Sequence, residues 1–452
     1  MTVEAKHQPI DEIKGFYERG KTGEAKRLIA PLHPADIARL LDGLEKDEIV
    51  WVFRLLDKDV AAAVLLELDE RLRELLVSSV SSGELVQLVR EMETDDATDI
   101  VSELSPQEAK HVLEGINKED AKEVKKLLTY AEDTAGGKMQ AELVSVRLDA
   151  TVRDAIEEVR RKSKEVGNIS SVFVVDLEGK FAGTVALNQL ILAEEGAPIS
   201  AITDTRAMKV TTDVDQEKVA KIFQRYDLLS MPVTDMENRL VGRITIDDVV
   251  DVIEEEILED FYRIASLNTE ERVMDPPRRS FSMRAPWLLI NLATAFMAAA
   301  VVKVFESTID RLVILAVFMP IVAGMGGNAA TQTIAVVVRG LALGELPPDS
   351  AKKLLVKEVL VGLANGVVTG IVAMAAAYIL GANPLVGLLL FLAMTANLMI
   401  AGFSGTVIPL ALRWWGADPA LASSILVTTC TDVGGFFSFL GLAAVFIRIG
   451  IL

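Results

Sequence analysis

The sequence predicts a multi-domain protein: an all-α superhelical N-terminal domain, a duplicated α/β unit, a long connecting helix and a five-span α-helical transmembrane domain. Charge is the first observation behind this reading. The 452 residues are 51% hydrophobic yet carry 65 acidic against 46 basic side chains, an unusual pairing for one soluble domain. The two properties occupy different halves: residues 281–452 hold nine basic and seven acidic residues, which leaves 37 basic and 58 acidic in residues 1–280, a balance of −21. The second observation is an internal repeat in the acidic half. The third is a series of five apolar segments in the other half, each reaching the ~20 residues that a helical span requires. A balance of −21 with no basic stripe excludes a nucleic-acid binder and favours cations as partners.

Residues 1–131 are expected to form the helical domain. Helix starts recur at HPADIARLL (33–41), SSGELVQLV (81–89) and SPQEAKHVL (105–113). Each opens with Ser or His-Pro, has an early acid and places apolar residues at helical spacing, the pattern of short capped helices. A superhelical stack and a helical bundle both accommodate it. His7, His33 and His111 are scattered here without a nucleophile arrangement and read as helix-surface residues, so no enzyme is expected. The N-terminus MTVEAKHQPI lacks the basic, apolar and small-residue order of a cleavable signal, which places residues 1–280 in the cytoplasm.

A break at Glu132-Asp133-Thr134-Ala135-Gly136-Gly137 ends the helical pattern, and the repeat occupies 138–200 and 201–257. Val146, Asp149 and Ala155 superpose on Val210, Asp213 and Val219 at an offset of 64, whereas Asp176 and Gly183 superpose on Asp235 and Gly242 at 59. The difference of five fits an insertion in the loop 162–167. Each copy reads as helix, strand (172–175; 231–233), turn, strand (181–185; 240–244) and helix. This pattern resembles the paired cystathionine-β-synthase-type (CBS) domain, whose G-x-x-T-x-x-D signature stands here as Gly242, Thr245 and Asp247. The resemblance implies a ligand-sensing pair, often for adenosyl nucleotides such as ATP. The first copy departs from it, with Ala186 and Asn188 at the Thr and Asp positions, which counts against nucleotide binding.

From Asp247 a helix runs on toward the connecting (plug) helix, assigned to 258–280. Between Arg243 and Arg263 lie Asp247, Asp248, Asp251, Glu254, Glu255, Glu256, Glu259 and Asp260 without a basic residue. Asp248, Asp251, Glu255 and Glu259 share a helix face that repels itself unless neutralised. A solvated charged helix is the plain alternative to a metal-binding one. Further acids crowd Asp95, Asp96, Asp99 and Asp213, Asp215, Glu217, and oxygen-rich clusters of this kind suit hard divalent cations.

The apolar segments of the transmembrane domain (281–452) run over 285–305, 312–338, 354–380, 385–412 and 420–447. An odd count with a cytoplasmic N-terminus puts the C-terminus outside. The charge bias agrees: Arg278, Arg279, Arg284, Arg339, Lys352, Lys353, Lys357 and Arg413 flank the inner side against Lys303, Arg311 and Arg448 outside. Asp432 lies near the middle of the fifth span, where a lipid-facing carboxylate costs ~2.5–3.5 kcal/mol on insertion scales, so it should face protein or water. Ser424, Thr428 and Gly435 share its stripe. The second span carries Gly324, Gly326, Gly327, Asn328 and Gln332; Asn328 serves equally as a packing hydrogen bond or a pore lining. No basic residue lies deep in any span, so Asp432 should prefer a cation, and a divalent ion that keeps its water needs only one or two carboxylates. A two-fold axis would supply the second. A proton-relay Asp in a carrier is the competing reading, and no chain of His, Asp or Glu continues such a relay. Cys430, the lone cysteine, reads as a small buried residue.

E-D-T-A-G-G-K-M at 132–139, G-M-G-G-N with Gln332 at 324–332, and D-P-A-L through T-T-C-T-D-V-G-G at 418–435 together resemble the MgtE family of Mg2+ channels. The resemblance covers nearly the whole chain and implies a homodimeric, Mg2+-selective channel of the inner membrane, with the pore between the second and fifth spans. It implies that Asp432 is the selectivity carboxylate, with Asn328, Gln332, Ser424, Thr428 and Gly435 as candidate pore lining. Cytosolic Mg2+ sensing would fall to Asp95, Asp99, Asp215, Glu217, Asp227, Asp248, Asp251, Glu256 and Glu259. Two positions depart from the family: Ile425 stands where Pro usually follows Ser424, and Asn188-Gln189 replaces a nucleotide-facing Arg-Asp pair. A membrane-tethered nucleotide sensor is the alternative, although five spans with a central Asp exceed what an anchor needs.

Overall fold

Short apolar-periodic segments, each with its own cap, dictate the first part of the chain. In the computed structural model, which describes residues 3–265, 267–269, 271, 273, 275–342, 345–346, 350–419 and 423–452, they form α1 (Val3–Glu18), α2 (Thr22–Ile29), α3 (Pro34–Asp42), α4 (Lys46–Leu55), α5 (Lys58–Leu66), α6 (Glu70–Ser79), α7 (Ser82–Val89), α8 (Thr94–Ser102), α9 (Pro106–Gly115) and α10 (Lys118–Leu127). Ser81 and Ser105 close reciprocal capping boxes with Glu84 and Glu108. His33 caps α3 through Nδ1, which accepts from the Ala35 N–H at 3.3 Å, while His111 is exposed. Helices pack on those two places along, α2 on α4, α3 on α5, α5 on α7, α7 on α9 and α8 on α10. That stepping is a superhelical stack, and one core runs through it from Ile13 to Val124.

The repeat is a repeat in three dimensions. The first copy contains β1 (Ser145–Arg147), α11 (Val152–Lys162), β2 (Ser171–Val175), β3 (Phe181–Ala186) and α12 (Leu187–Leu192); the second contains β4 (Val210–Thr211), α13 (Gln216–Tyr226), β5 (Ser230–Thr234), β6 (Leu240–Thr245) and α14 (Ile246–Ile264). Each sheet orders its strands as first, second, third, with a parallel and then an antiparallel pairing. Val146 pairs with Val174 and Val174 with Gly183, as Val210 pairs with Val233 and Val233 with Gly242, and both sheets slip register one residue later. The opening strands β1 and β4, three and two residues long, are too short to show alternation. In the E-D-T-A-G-G break, Ala135 and Gly136 donate to the Val214 and Thr212 carbonyls beside β4, and a Cβ at Gly136 would lie 2.7 Å from the Tyr130 ring.

The chain divides into two units at Ile253/Glu254, inside α14. One expectation is corrected here. Residues 258–280 are not one helix: α14 ends at Ile264, and α15 (Pro277–Val304) begins afresh. Pro276 and Pro277 fix where α15 starts, since Pro is well suited to the first helical position and would lack the N–H of a ladder continuing from before it. Then come α16 (Glu306–Arg311), α17 (Ile314–Ala342), α18 (Ala351–Ile379), α19 (Pro384–Trp414) and α20 (Ser423–Arg448). Among the described residues, α15, α17, α18, α19 and α20 are long and apolar enough to cross a membrane.

Helix α19 is the hub of this unit, packing on α17, α18 and α20. Gly362, Gly366 and Gly370 form a four-residue ladder on α18 that admits the α19 backbone: a Cβ at Gly366 would lie 2.6 Å from Thr395 Cα, and one at Gly370 would lie 3.0 Å from the Phe391 carbonyl. Cys430 corrects a second expectation, because it is exposed on α20. In a membrane the lipid is as apolar as a protein core, so an apolar neighbourhood in sequence does not imply burial.

Candidate functional site

Asp432 is half-buried on α20, and among the described residues no side chain pairs with it. Thr428 and Ser424, one and two turns earlier, are also half-buried, and Gly435 is buried. Helix α20 runs through Ile425 without interruption. On α17, which packs against α20, Asn328 and Gln332 are exposed on the surface of the single chain. The polar side chains of the stripe lie on open or partly open faces of the single chain, whereas Gly435 is buried against the Asn397 carboxamide of α19. Sequence reading missed Asn397 on α19, 0% exposed, which donates Nδ2 to the Val322 carbonyl at 2.8 Å. It also missed Glu358 on α18, a buried carboxylate 2.8 Å from Lys357 Nζ. A polar residue in an apolar span was the available signal for both.

A second cluster lies within the acidic unit, where α8 meets the two CBS copies. Asp95 is buried, accepting from Gln140 Nε2 at 3.3 Å and from the Asp96 N–H. Asp248 accepts from Thr245 Oγ1 at 2.6 Å, and Thr94 Oγ1 donates to Glu142 at 2.6 Å. Burial, reinforced by the negative charge of Asp248, pushes Asp95 well above the usual carboxylate range and Asp96 up to about 7. Burial likewise lifts Asp248 to about 6, with Asp247 adding to the rise. Asp99 reaches the surface of α8 and stands at about 6, raised by desolvation against the pull of Lys138.

A buried cation faces this cluster, Arg243 of β6, 2% exposed. Its guanidinium donates to Gln140 Oε1 at 2.6 and 3.0 Å, to the Gly167 carbonyl at 2.8 Å and to the Asn168 carbonyl at 3.5 Å. The inserted loop thus brings Gly167 and Asn168 to the second copy. Neither Arg243 nor Gln140 was legible as part of the site; the one hint was a charged residue in the apolar strand L-V-G-R-I-T.

The remaining acids are dispersed. Asp215 caps α13 by accepting from the Glu217 N–H, Glu217 pairs with Lys221 at 2.7 Å, and Asp227 ends the same helix in the left-handed conformation at φ 51°. Asp251 is exposed on α14, and Glu256 is half-buried. Glu259 and Asp418 both pair with Arg263, and the neighbouring Ile264 packs on a core formed by α17, α19 and α20. Among the described residues no three His, Cys, Asp or Glu side chains are placed to ligate one metal ion together. Beside the signature, Asn168, Ser170, Leu229, Thr245, Asp247 and Val250 line a cleft of about 520 Å3. In the first copy the Asn188 carboxamide turns onto its own backbone, accepting from the Gln189 N–H.

Five apolar helices with one carboxylate at mid-span, Asp432, joined to a CBS pair and an acidic helical stack, define a multi-pass membrane protein of the ion-transporting class. Residues 319–442 match the family described as divalent cation transporter, residues 32–133 the MgtE intracellular N domain, and residues 135–196 and 199–255 the CBS domain. The chain is 35% identical over 326 residues to the magnesium transporter MgtE of Enterococcus faecalis, covering 72% of each, and 33% identical over 323 residues to that of Thermus thermophilus, covering 71% of this chain and 72% of that one. It also resembles the crystal structure of the cytosolic domain of the Mg2+ channel MgtE in complex with ATP, at 31% identity and a TM-score of 0.52, over 54% of this chain and 99% of that one. The chain belongs to the MgtE family. That membership favours ion transport over the tethered nucleotide sensor, and the family is one of transporters, not of enzymes.

Proposed function

We propose that this chain is a homodimeric, Mg2+-selective channel of the inner membrane that admits Mg2+ and is shut by cytosolic Mg2+. The observation that carries the reading is Asp432: a mid-span carboxylate, half-buried and without a side-chain partner among the described residues. Such a group is costly unless a cation or water faces it. Its carboxylate attracts a divalent ion and accepts hydrogen bonds from the water that the ion retains, while Asn328, Gln332, Ser424 and Thr428 offer further polar contacts along the way. The exposed Asn328 and Gln332 support a second copy on that face, because carboxamides turned to hydrocarbon would lose their hydrogen bonds. Helix α15, whose buried residue is Ala298, likewise leaves most of its surface to lipid or to a partner. The basic flanks orient the N-terminus to the cytoplasm and the C-terminus outside.

For regulation, the donor set fits a water-retaining cation: carboxylates raised by burial and by one another are relieved by positive charge. In the acidic unit Asp95, Asp99 and Asp248, which are not placed to ligate one ion together, would each face a hydrated ion through the water it keeps, with Asp215, Glu217, Asp227, Asp251, Glu256 and Glu259 as further oxygen donors. A bound divalent ion supplies the charge that lets these carboxylates stay ionised together. Without it, Asp95, Asp96 and Asp248 repel one another and loosen α8 from the CBS pair; α14 carries that change toward the spans by chain continuity. Loosely built oxygen sites hold such ions at roughly 10⁻⁴–10⁻³ M. The cleft beside Thr245 and Asp247 is the place to look for ATP, by titrating the full chain with the nucleotide.

Mg2+ flux into proteoliposomes tests the proposal. Wild type should conduct, Asp432→Ala should not, and Mg2+ on the side bearing the acidic half should suppress the wild-type flux. Equal flux in both proteins removes Asp432 from the pathway. Asp248→Asn with Asp251→Asn should conduct with weakened inhibition by Mg2+; unchanged inhibition rejects the sensor.

A further inference from the structure

The two glycine-bearing motifs of the spans, G-M-G-G-N on α17 and D-V-G-G on α20, contain glycines that make room for one side chain on a third helix. The Asn397 carboxamide of α19 sits between Gly326 and Gly435. A Cβ at Gly435 would lie 2.7 Å from Asn397 Nδ2, and one at Gly326 would collide with the same atom. Nδ2 donates to the Val322 carbonyl, the acceptor that the helical ladder also pairs with the Gly326 N–H. Among the described residues Oδ1 has no hydrogen-bond partner although Asn397 is fully buried, an arrangement that persists in proteins where the surroundings enforce it. By contrast, a Cβ at Gly324 or Gly327 would meet nothing within 4 Å.

We propose that Asn397 is a positioning residue of the ion pathway. Its carboxamide fixes the separation and rotation of α17 and α20, and so sets Asn328, two residues beyond Gly326, against Asp432, one turn before Gly435. Asn397 acts through those helices without touching the ion. The inference rests on the reading that α17 and α20 line the pathway, and the two fail separately: loss of flux in Asp432→Ala tests that reading, whereas ion selectivity in variants of Asn397 and Gly435 tests the positioning role.

The experiment reads the Mg2+ to Ca2+ flux ratio per folded protein in proteoliposomes. Asn397→Leu keeps the volume and removes the hydrogen bond; the ratio should fall about three- to tenfold, the factor that an interhelical hydrogen bond of ~0.6–1.5 kcal/mol controls. A purely structural role would lower the yield of folded protein and leave the ratio alone, and a wild-type ratio in Asn397→Leu overturns the proposal. A steric cycle decides the matter even if that variant does not fold. Gly435→Ala should abolish flux in the wild-type background and regain it when combined with Asn397→Ala, which vacates the space. Gly441→Ala on the same helix, where the nearest neighbour is Phe305 at 3.8 Å, should transport normally. Equal loss in Gly435→Ala with and without Asn397→Ala also overturns the proposal.

Discussion

Arg243 shows how much one side chain can hold. Its guanidinium donates to neutral oxygens from the 138–144 segment and the inserted loop, while Glu93 and Asp95 act on it as charges at longer range. Through Gln140 it reaches Asp95, so the helical stack, the first CBS copy and the second meet at one group. Arg243→Met should destabilise the acidic unit by about 1–3 kcal/mol, since it leaves buried carbonyls unsatisfied, and urea unfolding of the full chain in detergent would read the loss. Arg243→Lys keeps the charge without the fork and should fall between the two. An unchanged midpoint in Arg243→Met would remove the arginine from the stabilising network.

At the scale of elements, the contact of α18 with α19 is made by absence of side chains. Gly362, Gly366 and Gly370 recur every four residues on α18, and Gly366 faces the Thr395 backbone so closely that the other helix must shift if a methyl is added. Gly366→Leu should cost about 1–3 kcal/mol by overpacking and lower the thermal midpoint of the detergent-solubilised protein, whereas Gly196→Leu, in open space on the first CBS copy, should not. The end of α14 makes a different kind of contact. Arg263 there pairs with Glu259 one turn back and with Asp418 beyond α19. Arg263→Gln leaves those two carboxylates without their shared cation. If this contact holds the closed state, flux at saturating Mg2+ should rise severalfold above the wild-type residue; a leak no larger than wild type would show that closure does not depend on it.

Over the whole molecule, charge is segregated: repulsion is concentrated in the acidic unit, and the apolar unit carries a lone carboxylate at mid-span. The raised groups give this a sign. Asp95, Asp96 and Asp248 have folded pKa values above the ~3.9 of an unfolded aspartate. The stability they contribute is therefore fully present below about pH 4 and is lost as pH rises through about 6 to 7. In the absence of divalent ions, the urea midpoint of the acidic unit should fall between about pH 4 and 7. Asp96→Asn with Asp248→Asn should flatten that fall, and added Mg2+ should do the same in wild type. A midpoint that rises with pH would contradict the mutual repulsion of the cluster.

What the sequence determined by itself is whatever local periodicity and composition dictate. The capped helices at Ser81 and Ser105, the duplicated strands around Val174 and Val233, and the five apolar spans arise from neighbours within a few residues, as does the solitary position of Asp432. Tertiary structure decided what depends on residues far apart in the chain. Arg243 meets Gln140 across 103 residues and Asn397 meets Val322 across 75, and no window of sequence holds both partners. The strands β1 and β4 belong here too, since a parallel pairing makes a two- or three-residue segment into a strand. So does the exposure of Cys430: within a membrane an apolar residue is equally stable against lipid or protein, so its neighbours in sequence leave its environment open and helix packing settles it.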